Sequence, residues 1–209
     1  VEILRKDKII VKSNISSLEE DNLVSRAAKL LKEKTGTSLG AYIFLEKNIP
    51  IGAGLGGGSS DAATTLLSLN WLWQTGLSNL DLSALGLFLG ADVPFFTKGR
   101  NAHVQGIGEI ITPIKLEKKH YLVVFPNIFI STKKIFQSLD LTVERTISIM
   151  RSADQSARVN DLQETAFLLY PQLEQVNRLL SSFGKPRMTG SGSALFVEVN
   201  CTKEYSHIK

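Results

Sequence analysis

The residues best suited to chemistry lie in the segment Pro50–Ala63, which reads PIGAGLGGGSSDAA. Every position from Gly52 to Gly58 is glycine except Ala53 and Leu55. Glycine accepts positive φ and lets a ligand approach the main chain closely. The two serines and the aspartate that follow predict a helix start, whose unpaired N–H groups and positive dipole end face the loop. This glycine loop therefore predicts a phosphate site, with a purely structural turn as the alternative.

Three other glycine-rich phosphate loops are excluded by what surrounds this one. A Walker loop would need lysine where the chain has Gly58. A dinucleotide-binding loop needs a strand that runs into the first glycine and an acid about 20 residues later. Here Pro50 interrupts the approach, and no acid occurs between Asp61 and Asp81. The H-R-D and D-F-G segments of protein kinases are absent from the sequence.

A second segment, Leu89–Phe96, reads LGADVPFF and places Asp92 between a helix-ending glycine and an apolar run. This setting predicts a partly buried carboxylate. Near bound phosphates, such a carboxylate can act as a general base that takes the proton of a substrate hydroxyl. The alternative is a turn aspartate whose side chain caps nearby backbone N–H groups.

A third segment, Arg187–Ala194, reads RMTGSGSA and precedes the strand-like run LFVEV. Two alternating glycines among hydroxyl side chains can form a tight turn that packs against another stretch of backbone. We interpret it as a second glycine loop that closes on the first. A plain turn before a strand remains the alternative.

Composition limits the partners. The 209 residues carry a net charge of +4, and the basic residues are scattered with no aromatic and basic stripe, so we expect no nucleic acid. No apolar run approaches the roughly 18 residues of a membrane span. The single Cys201 cannot form an internal disulfide, which favours a reducing, cytoplasmic setting. A start at Val1 leads us to expect that the natural N-terminus lies upstream.

Strand-like and helical stretches alternate without a regular βαβ repeat, which predicts an α+β fold. The predicted strands are 8–12, 41–45, 121–125 (strongly buried), 194–199 and short pieces within 102–113. The predicted helices are 21–34, from Ser59 or Ser60 to 74, 78–89, 131–139, 159–169 and 171–182. A change of composition at 116–120 predicts two domains, 1–116 and 117–209.

The three segments, in this order, resemble the motifs of the GHMP small-molecule kinases, which include galactokinase, homoserine kinase and mevalonate kinase. With the triple glycine, LGADVPFF, the GIGE of Gly106–Glu109 and the run GSGSALFVE, the resemblance is greatest to the 4-diphosphocytidyl-2-C-methyl-D-erythritol kinases. It spans roughly 21–199. It implies a two-domain GHMP kinase fold, with an N-terminal ATP-binding domain like domain 2 of ribosomal protein S5 and a ferredoxin-like C-terminal domain.

This resemblance also implies roles for individual residues. Asp92 matches the catalytic aspartate. The implied ATP-binding residues are Pro50, Ile51, Gly52, Ala53, Gly54, Leu55, Gly56, Gly57, Gly58, Ser59, Ser60, Asn22 and Lys47. The implied substrate-binding residues are Thr132, Phe136, Gly190, Ser191 and Gly192, with Phe136 stacked on a cytosine. The residues alone leave three alternatives: a helix cap for Asn22, a solvated charge for Lys47 and a core side chain for Phe136.

The implied reaction is ATP-dependent phosphorylation of the 2-hydroxyl of 4-diphosphocytidyl-2-C-methyl-D-erythritol (CDP-methylerythritol), a step of non-mevalonate isoprenoid synthesis. Mg²⁺ would be held chiefly by the nucleotide phosphates. The protein would be a monomer or a weak homodimer. Another GHMP kinase activity, or nucleotide binding without catalysis, remains open.

The chain departs from the family pattern at its start. The family carries an N-terminal strand with a lysine and a later G-Y-H segment, and neither occurs here. The stretch near 139–144 is also short, and the end at Lys209 is early. We therefore expect the 209 residues alone to bind nucleotide poorly, and an intact protein with the N-terminal strand to be active.

Overall fold

The computed structural model describes residues 1–139 and 160–200. Contacts divide the chain into two compact units. The first unit comprises Val1–Ile49 and Gly56–Glu117, and the second comprises Pro50–Leu55 and the chain from Lys118 onward. Residues 50–55 group with the second unit because their backbone bonds to Thr189 and Ala194. The assignment of an ATP-binding domain to 1–116 and a C-terminal domain to 117–209 stays a prediction.

The first unit is built around a three-stranded sheet with β3 in the centre. Strand β1 runs antiparallel to β3 and β2 runs parallel to it, so that Val11 pairs with Ile43. A separate hairpin pairs β4 with β5. The elements are β1 (Glu2–Leu4), β2 (Ile9–Ser13), a 3-10 turn (Ser16–Leu18), α1 (Leu23–Thr35), β3 (Gly40–Leu45), α2 (Gly57–Leu72), α3 (Asn79–Leu89), α4 (Val93–Lys98), β4 (Ala102–Gln105) and β5 (Ile110–Pro113).

The core of the first unit forms where α1, α2 and α3 pack on one another and α1 packs on β2. Ala27 and Ala28 of α1, with Ala62 and Ala63 of α2, are at most 1% exposed, so the helices can approach closely. Large apolar side chains fill the remaining space, each stabilising the fold by about 1.5–3 kcal/mol. Those without exposed surface are Leu31, Leu66, Leu69 and Leu82.

Side-chain caps set the starts of two helices of the first unit. Asn22 accepts from the N–H of Ser25 and begins α1. Ser78 and Asp81 form a reciprocal capping box at the start of α3. The hydroxyl and the backbone N–H of Ser78 both donate to the Asp81 carboxylate and hold its pKa below the ordinary value.

The second unit contains a three-stranded antiparallel sheet with β8 between β6 and β7. Its core lies between this sheet and the helices, and Ile135, Leu173 and Leu195 are fully buried there. The described elements are β6 (His120–Val124), α5 (Thr132–Gln137), α6 (Leu162–Leu169), α7 (Pro171–Leu180), β7 (Arg187–Met188) and β8 (Leu195–Val199).

Most predicted elements are confirmed within one to three residues of their predicted ends, two predictions are wrong, and one helix was not predicted. Helix α2 begins at Gly57 after a left-handed Gly56, so neither Ser59 nor Ser60 caps it. Strand β6 is only half buried, because its alternate side chains Tyr121 and Val123 are 45% and 47% exposed. The segment after Asp92 forms the short helix α4.

The predicted helix start at Val159 lies outside the described residues. Within 1–139 and 160–200, no helix has the length and apolar character needed to cross a membrane.

Candidate active site

The first half of the glycine loop is held by hydrogen bonds to its backbone inside the second unit. The Ala53 carbonyl accepts from Thr189 Oγ1 at 2.8 Å and from the Ala194 N–H at 3.1 Å. Gly54 has φ +72°, and a Cβ built on it would lie 2.3 Å from the Thr189 carbonyl oxygen. The Thr189 turn (residues 189–194) therefore closes on the glycine loop, which confirms the interpretation of the third segment and excludes a plain turn.

The second half of the loop leads into α2 in the first unit. Gly56 adopts φ +68°, and a Cβ on it would meet the Phe96 ring at 2.7 Å. The start of α2 has no side-chain cap and no acidic residue in its first turn. Its first N–H groups thus retain their donor capacity and the positive end of the dipole, a setting that fits a phosphate anion.

Lys47 is buried beside the start of α2. Its side chain is 7% exposed, and its ammonium lies 2.7 Å from Asp61 Oδ2. A Cβ built on Gly57 would lie 3.0 Å from the same ammonium. The alternative of a solvated charge is therefore wrong. Asp61, which sequence reasoning used only as part of the helix start, is the missed partner.

Both polar atoms of the Asn22 side chain form hydrogen bonds with nearby residues. Its oxygen accepts from the Ser25 N–H at 2.9 Å, and its amide nitrogen donates to the Leu18 carbonyl. The helix-cap alternative describes these contacts. An additional role near the adenine stays a prediction.

Asp92 is exposed, so the prediction of partial burial is wrong. The residue stands at the start of α4, and the apolar run turns Val93 and Pro94 inward instead. Its side chain makes no capping hydrogen bond with α4, so the turn-cap alternative is not realised there.

The GIGE turn supports the backbone next to Asp92. Gly108 has φ +114°, and a Cβ built on it would lie 1.9 Å from the Ala91 carbonyl oxygen. Glu109 stabilises the same turn by accepting from the Ile107 N–H at 2.7 Å. In the sequence this motif carried only the family resemblance. The structure shows that Gly108 permits close contact with the backbone at Ala91, next to Asp92.

Replacing Gly108 with Ala is expected to lower kcat by about tenfold or more, since the added Cβ must displace the Ala91–Asp92 backbone. The KM for ATP should change little. Steady-state kinetics and thermal unfolding together measure both effects. Gly99→Ala is the matched control, because Gly99 also has positive φ (+61°) but its Cβ would meet nothing closer than 4.0 Å. Equal losses of kcat in the two variants would contradict this role.

The predicted substrate-binding residues come together in part. Thr132 Oγ1 and Ser191 Oγ lie 2.8 Å apart in the second unit. Phe136 is 57% exposed, whereas its neighbour Ile135 is fully buried. The alternative of a core phenylalanine is therefore wrong, and the Phe136 ring is available for stacking.

Two residues of the site had weak sequence signals. Thr189 lies in the third segment as one hydroxyl among several, and nothing local marks it as the contact to Ala53. Asn160 donates to the carbonyls of Met188 and Gly190 from about 30 residues away. In the described part of the chain no three His, Cys, Asp or Glu side chains form a metal-binding group.

The comparisons with known proteins agree with this geometry. The sequence profile described as GHMP kinases N terminal domain matches residues 22–100. The 4-diphosphocytidyl-2-C-methyl-D-erythritol kinase of Azoarcus sp. is 48% identical over 200 residues, covering 94% of this chain and 70% of that protein. The chain belongs to the 4-diphosphocytidyl-2-C-methyl-D-erythritol kinase family.

Another member and one solved structure support the same family, and a second solved structure shares the fold. The enzyme of that name from Mannheimia succiniciproducens is 44% identical over 95% of this chain, which spans 66% of its length. A crystal structure of a 4-(cytidine 5'-diphospho)-2C-methyl-D-erythritol kinase has a TM-score of 0.74 at 36% identity, covering 93% of this chain and 73% of that one. A homoserine kinase from Cytophaga hutchinsonii has a TM-score of 0.73 at 16% identity, covering 96% and 75% of the two chains, and shares the fold. The predicted α+β GHMP kinase fold is confirmed.

Proposed function

We propose that this kinase family member transfers the γ-phosphoryl group of ATP to the 2-hydroxyl of CDP-methylerythritol, in non-mevalonate isoprenoid precursor synthesis. The observation that carries the proposal is the 48% identity, over 94% of the chain, to a kinase named for that substrate. The chain spans about two thirds of the length of such relatives. The activity is therefore proposed for the protein that contains it.

The proposed binding of ATP is supported by the backbone geometry of the glycine loop and the dipole of α2. The uncapped start of α2 offers N–H donors to a phosphate, and the Lys47–Asp61 ion pair lies beside Gly57. Residues 50–60 would follow the phosphates, with Asn22 and Lys47 nearer the adenine. Mg²⁺ carried by the phosphates would neutralise part of their charge.

Asp92 is the proposed general base. Its carboxylate takes the proton of the substrate 2-hydroxyl as that oxygen bonds to the γ-phosphorus. The bond from the γ-phosphorus to the β-phosphate oxygen breaks, and ADP leaves with the electron pair. Positioning and charge stabilisation supply most of the acceleration in phosphoryl transfer.

The proposed binding of the acceptor, CDP-methylerythritol, depends on residues of the second unit. The exposed Phe136 ring suits stacking on cytosine, and the Thr132–Ser191 pair presents hydroxyl groups. Gly190 and Gly192, which adopt φ +44° and +85°, keep the Thr189 turn narrow beside Ser191. We assign these residues to the binding of CDP-methylerythritol.

Replacing Phe136 with Leu is expected to raise the KM for CDP-methylerythritol, because stacking of a base on an aromatic ring contributes about 1–3 kcal/mol, or roughly 5- to 150-fold. The KM for ATP should stay at the wild-type value. Steady-state kinetics with each substrate varied in turn measures both constants. Phe129→Leu is the matched control, since Phe129 is an 82% exposed phenylalanine in the same unit with no assigned role. An unchanged KM in Phe136→Leu would remove the stacking role.

The proposed function is tested by ADP release from the intact enzyme, with CDP-methylerythritol, homoserine, mevalonate and galactose compared side by side. Turnover with the cytidyl compound alone is the expected result. Turnover with another alcohol would keep the kinase and reject the substrate. ATP binding without turnover on any acceptor would favour a non-catalytic nucleotide-binding protein.

We also propose that the enzyme works in the cytoplasm, where its ATP is available, as a monomer or a weak homodimer. Its partner would be the small-molecule substrate, with no nucleic acid or membrane involved. Sedimentation of the intact enzyme at several concentrations tests the oligomeric state.

A further inference from the structure

The side-chain amide of Asn160 is fully engaged with backbone around the Thr189 turn. Its nitrogen donates to the Met188 carbonyl at 2.9 Å and to the Gly190 carbonyl at 2.7 Å. Its oxygen accepts from the Leu162 N–H at 3.0 Å. A flipped amide would place its oxygen against two carbonyl oxygens, so these partners define a single orientation.

A second side-chain amide, that of Gln163, lies three residues later and bonds to the same strand, β7. Gln163 Oε1 accepts from the Met188 N–H at 2.8 Å. Between them, Asn160 and Gln163 thus bind both backbone groups of Met188. The start of α6 therefore fixes the main chain on both sides of Thr189, at Met188 and at Gly190.

Thr189 connects this fixed stretch of backbone to the glycine loop. Its hydroxyl donates to the Ala53 carbonyl at 2.8 Å, and the Ala194 N–H donates to the same oxygen at 3.1 Å. Gly54 lies so close to the Thr189 carbonyl that a Cβ would not fit. A shift of Thr189 must therefore move Ala53 and Gly54. All of these residues belong to the second unit.

We propose that Asn160 is a positioning residue for ATP, acting through the Thr189 turn on the phosphate-binding backbone at Ala53 and Gly54. The inference rests on the proposed function, since it assumes that this backbone meets the nucleotide. Asn160 itself does not touch substrate in this proposal. Its two donated hydrogen bonds set the position of the turn.

The competing account is that Asn160 only caps α6 through its contact with Leu162. An aspartate in its place would cap equally well, because both side chains offer an oxygen to the helix N–H groups. Asn160→Asp therefore keeps the cap and removes the two donations. It also places a carboxylate oxygen opposite the Met188 and Gly190 carbonyl oxygens.

Gln163→Glu is the matched control. It adds the same negative charge beside the same residue, Met188, but it retains the acceptor oxygen that the Met188 N–H uses. A general effect of negative charge would change the ATP affinity of both variants alike. An effect of the lost hydrogen-bond donors would appear only in Asn160→Asp.

The experiment measures ATP binding by calorimetric titration of the intact enzyme without acceptor, and hydrogen exchange in peptides that span residues 189–195. Asn160→Asp is expected to weaken ATP binding by about tenfold or more, as the loss of two hydrogen bonds implies. Exchange at the Thr189 and Ala194 amides should become faster, since both are hydrogen-bonded within this network. Gln163→Glu should match the wild type in both measurements.

If Asn160→Asp fails to fold, Asn160→Ala removes the donations without adding charge. Wild-type ATP affinity and exchange in the folded Asn160 variant, or equal losses in Gln163→Glu, would overturn the proposal. An enzyme that binds ATP yet does not phosphorylate CDP-methylerythritol would overturn the proposed function alone, because the titration and the exchange need no acceptor.

Discussion

The Asp92→Asn variant is expected to lose about 10²–10⁴-fold in kcat, the usual contribution of a general base. Asparagine keeps the size of the side chain but cannot take the proton of the substrate hydroxyl. Because Asp92 is exposed and makes no capping bond with α4, the substitution should leave the stability of the fold nearly unchanged. Binding of ATP should also persist. Single-turnover kinetics and an ATP titration separate the two quantities.

Asp161→Asn is the control for this prediction, because it makes the same chemical change at another helix start, where the aspartate is partly buried. Asp161 also stands at the start of a short helix with right-handed backbone angles, φ −62° and ψ −21°, and it makes no side-chain cap. The corresponding angles of Asp92 are −86° and −18°. The Asp161 variant should therefore turn over at the wild-type rate. Unchanged turnover in Asp92→Asn would remove Asp92 as the base.

Gly54→Ala is expected to lower kcat/KM for ATP by roughly 10²-fold, since a displacement of about 1 Å in a substrate-positioning segment can cost that much. The added Cβ would lie 2.3 Å from the Thr189 carbonyl oxygen and 2.9 Å from that of Gly192, whereas ordinary contact begins at 3.4 Å. Both obstacles are backbone atoms, so no side chain can rotate away. The loop must shift by about 1 Å. Steady-state kinetics with ATP varied measures the loss.

Gly76→Ala separates this collision from backbone strain. Gly76 has φ +71°, nearly equal to the +72° of Gly54, and a Cβ on it would meet nothing within 4 Å. Both variants should lose stability through the left-handed conformation, by about 1–3 kcal/mol. The KM for ATP should rise in Gly54→Ala alone. A wild-type kcat/KM for ATP in Gly54→Ala would contradict the tight packing of the loop on the Thr189 turn.

Properties that depend on a few neighbouring residues could be predicted from the sequence. Glycine frequency marked the glycine loop, and Ser78 marked the start of α3. Each follows from local backbone preferences. Together with the order of the three segments, these features were enough to predict the α+β fold and the kinase family.

Burial and long-range contact were decided only by the tertiary structure. Asp92 proved exposed because the following apolar side chains, Val93 and Pro94, occupy the inward positions of α4. Lys47 proved buried because Asp61, 14 residues later, supplies a countercharge. The same apolar or charged residue is compatible with either environment until the elements pack.

The support of the glycine loop shows this division most clearly. Thr189 and Ala53 are separated by 136 residues, and Asn160 reaches the Thr189 turn across 28 to 30 residues. No local propensity links such positions, because the free energy that joins them comes from the packing of whole elements. The sequence by itself determined which backbone could meet a phosphate. The tertiary structure decided which side chains hold that backbone in place.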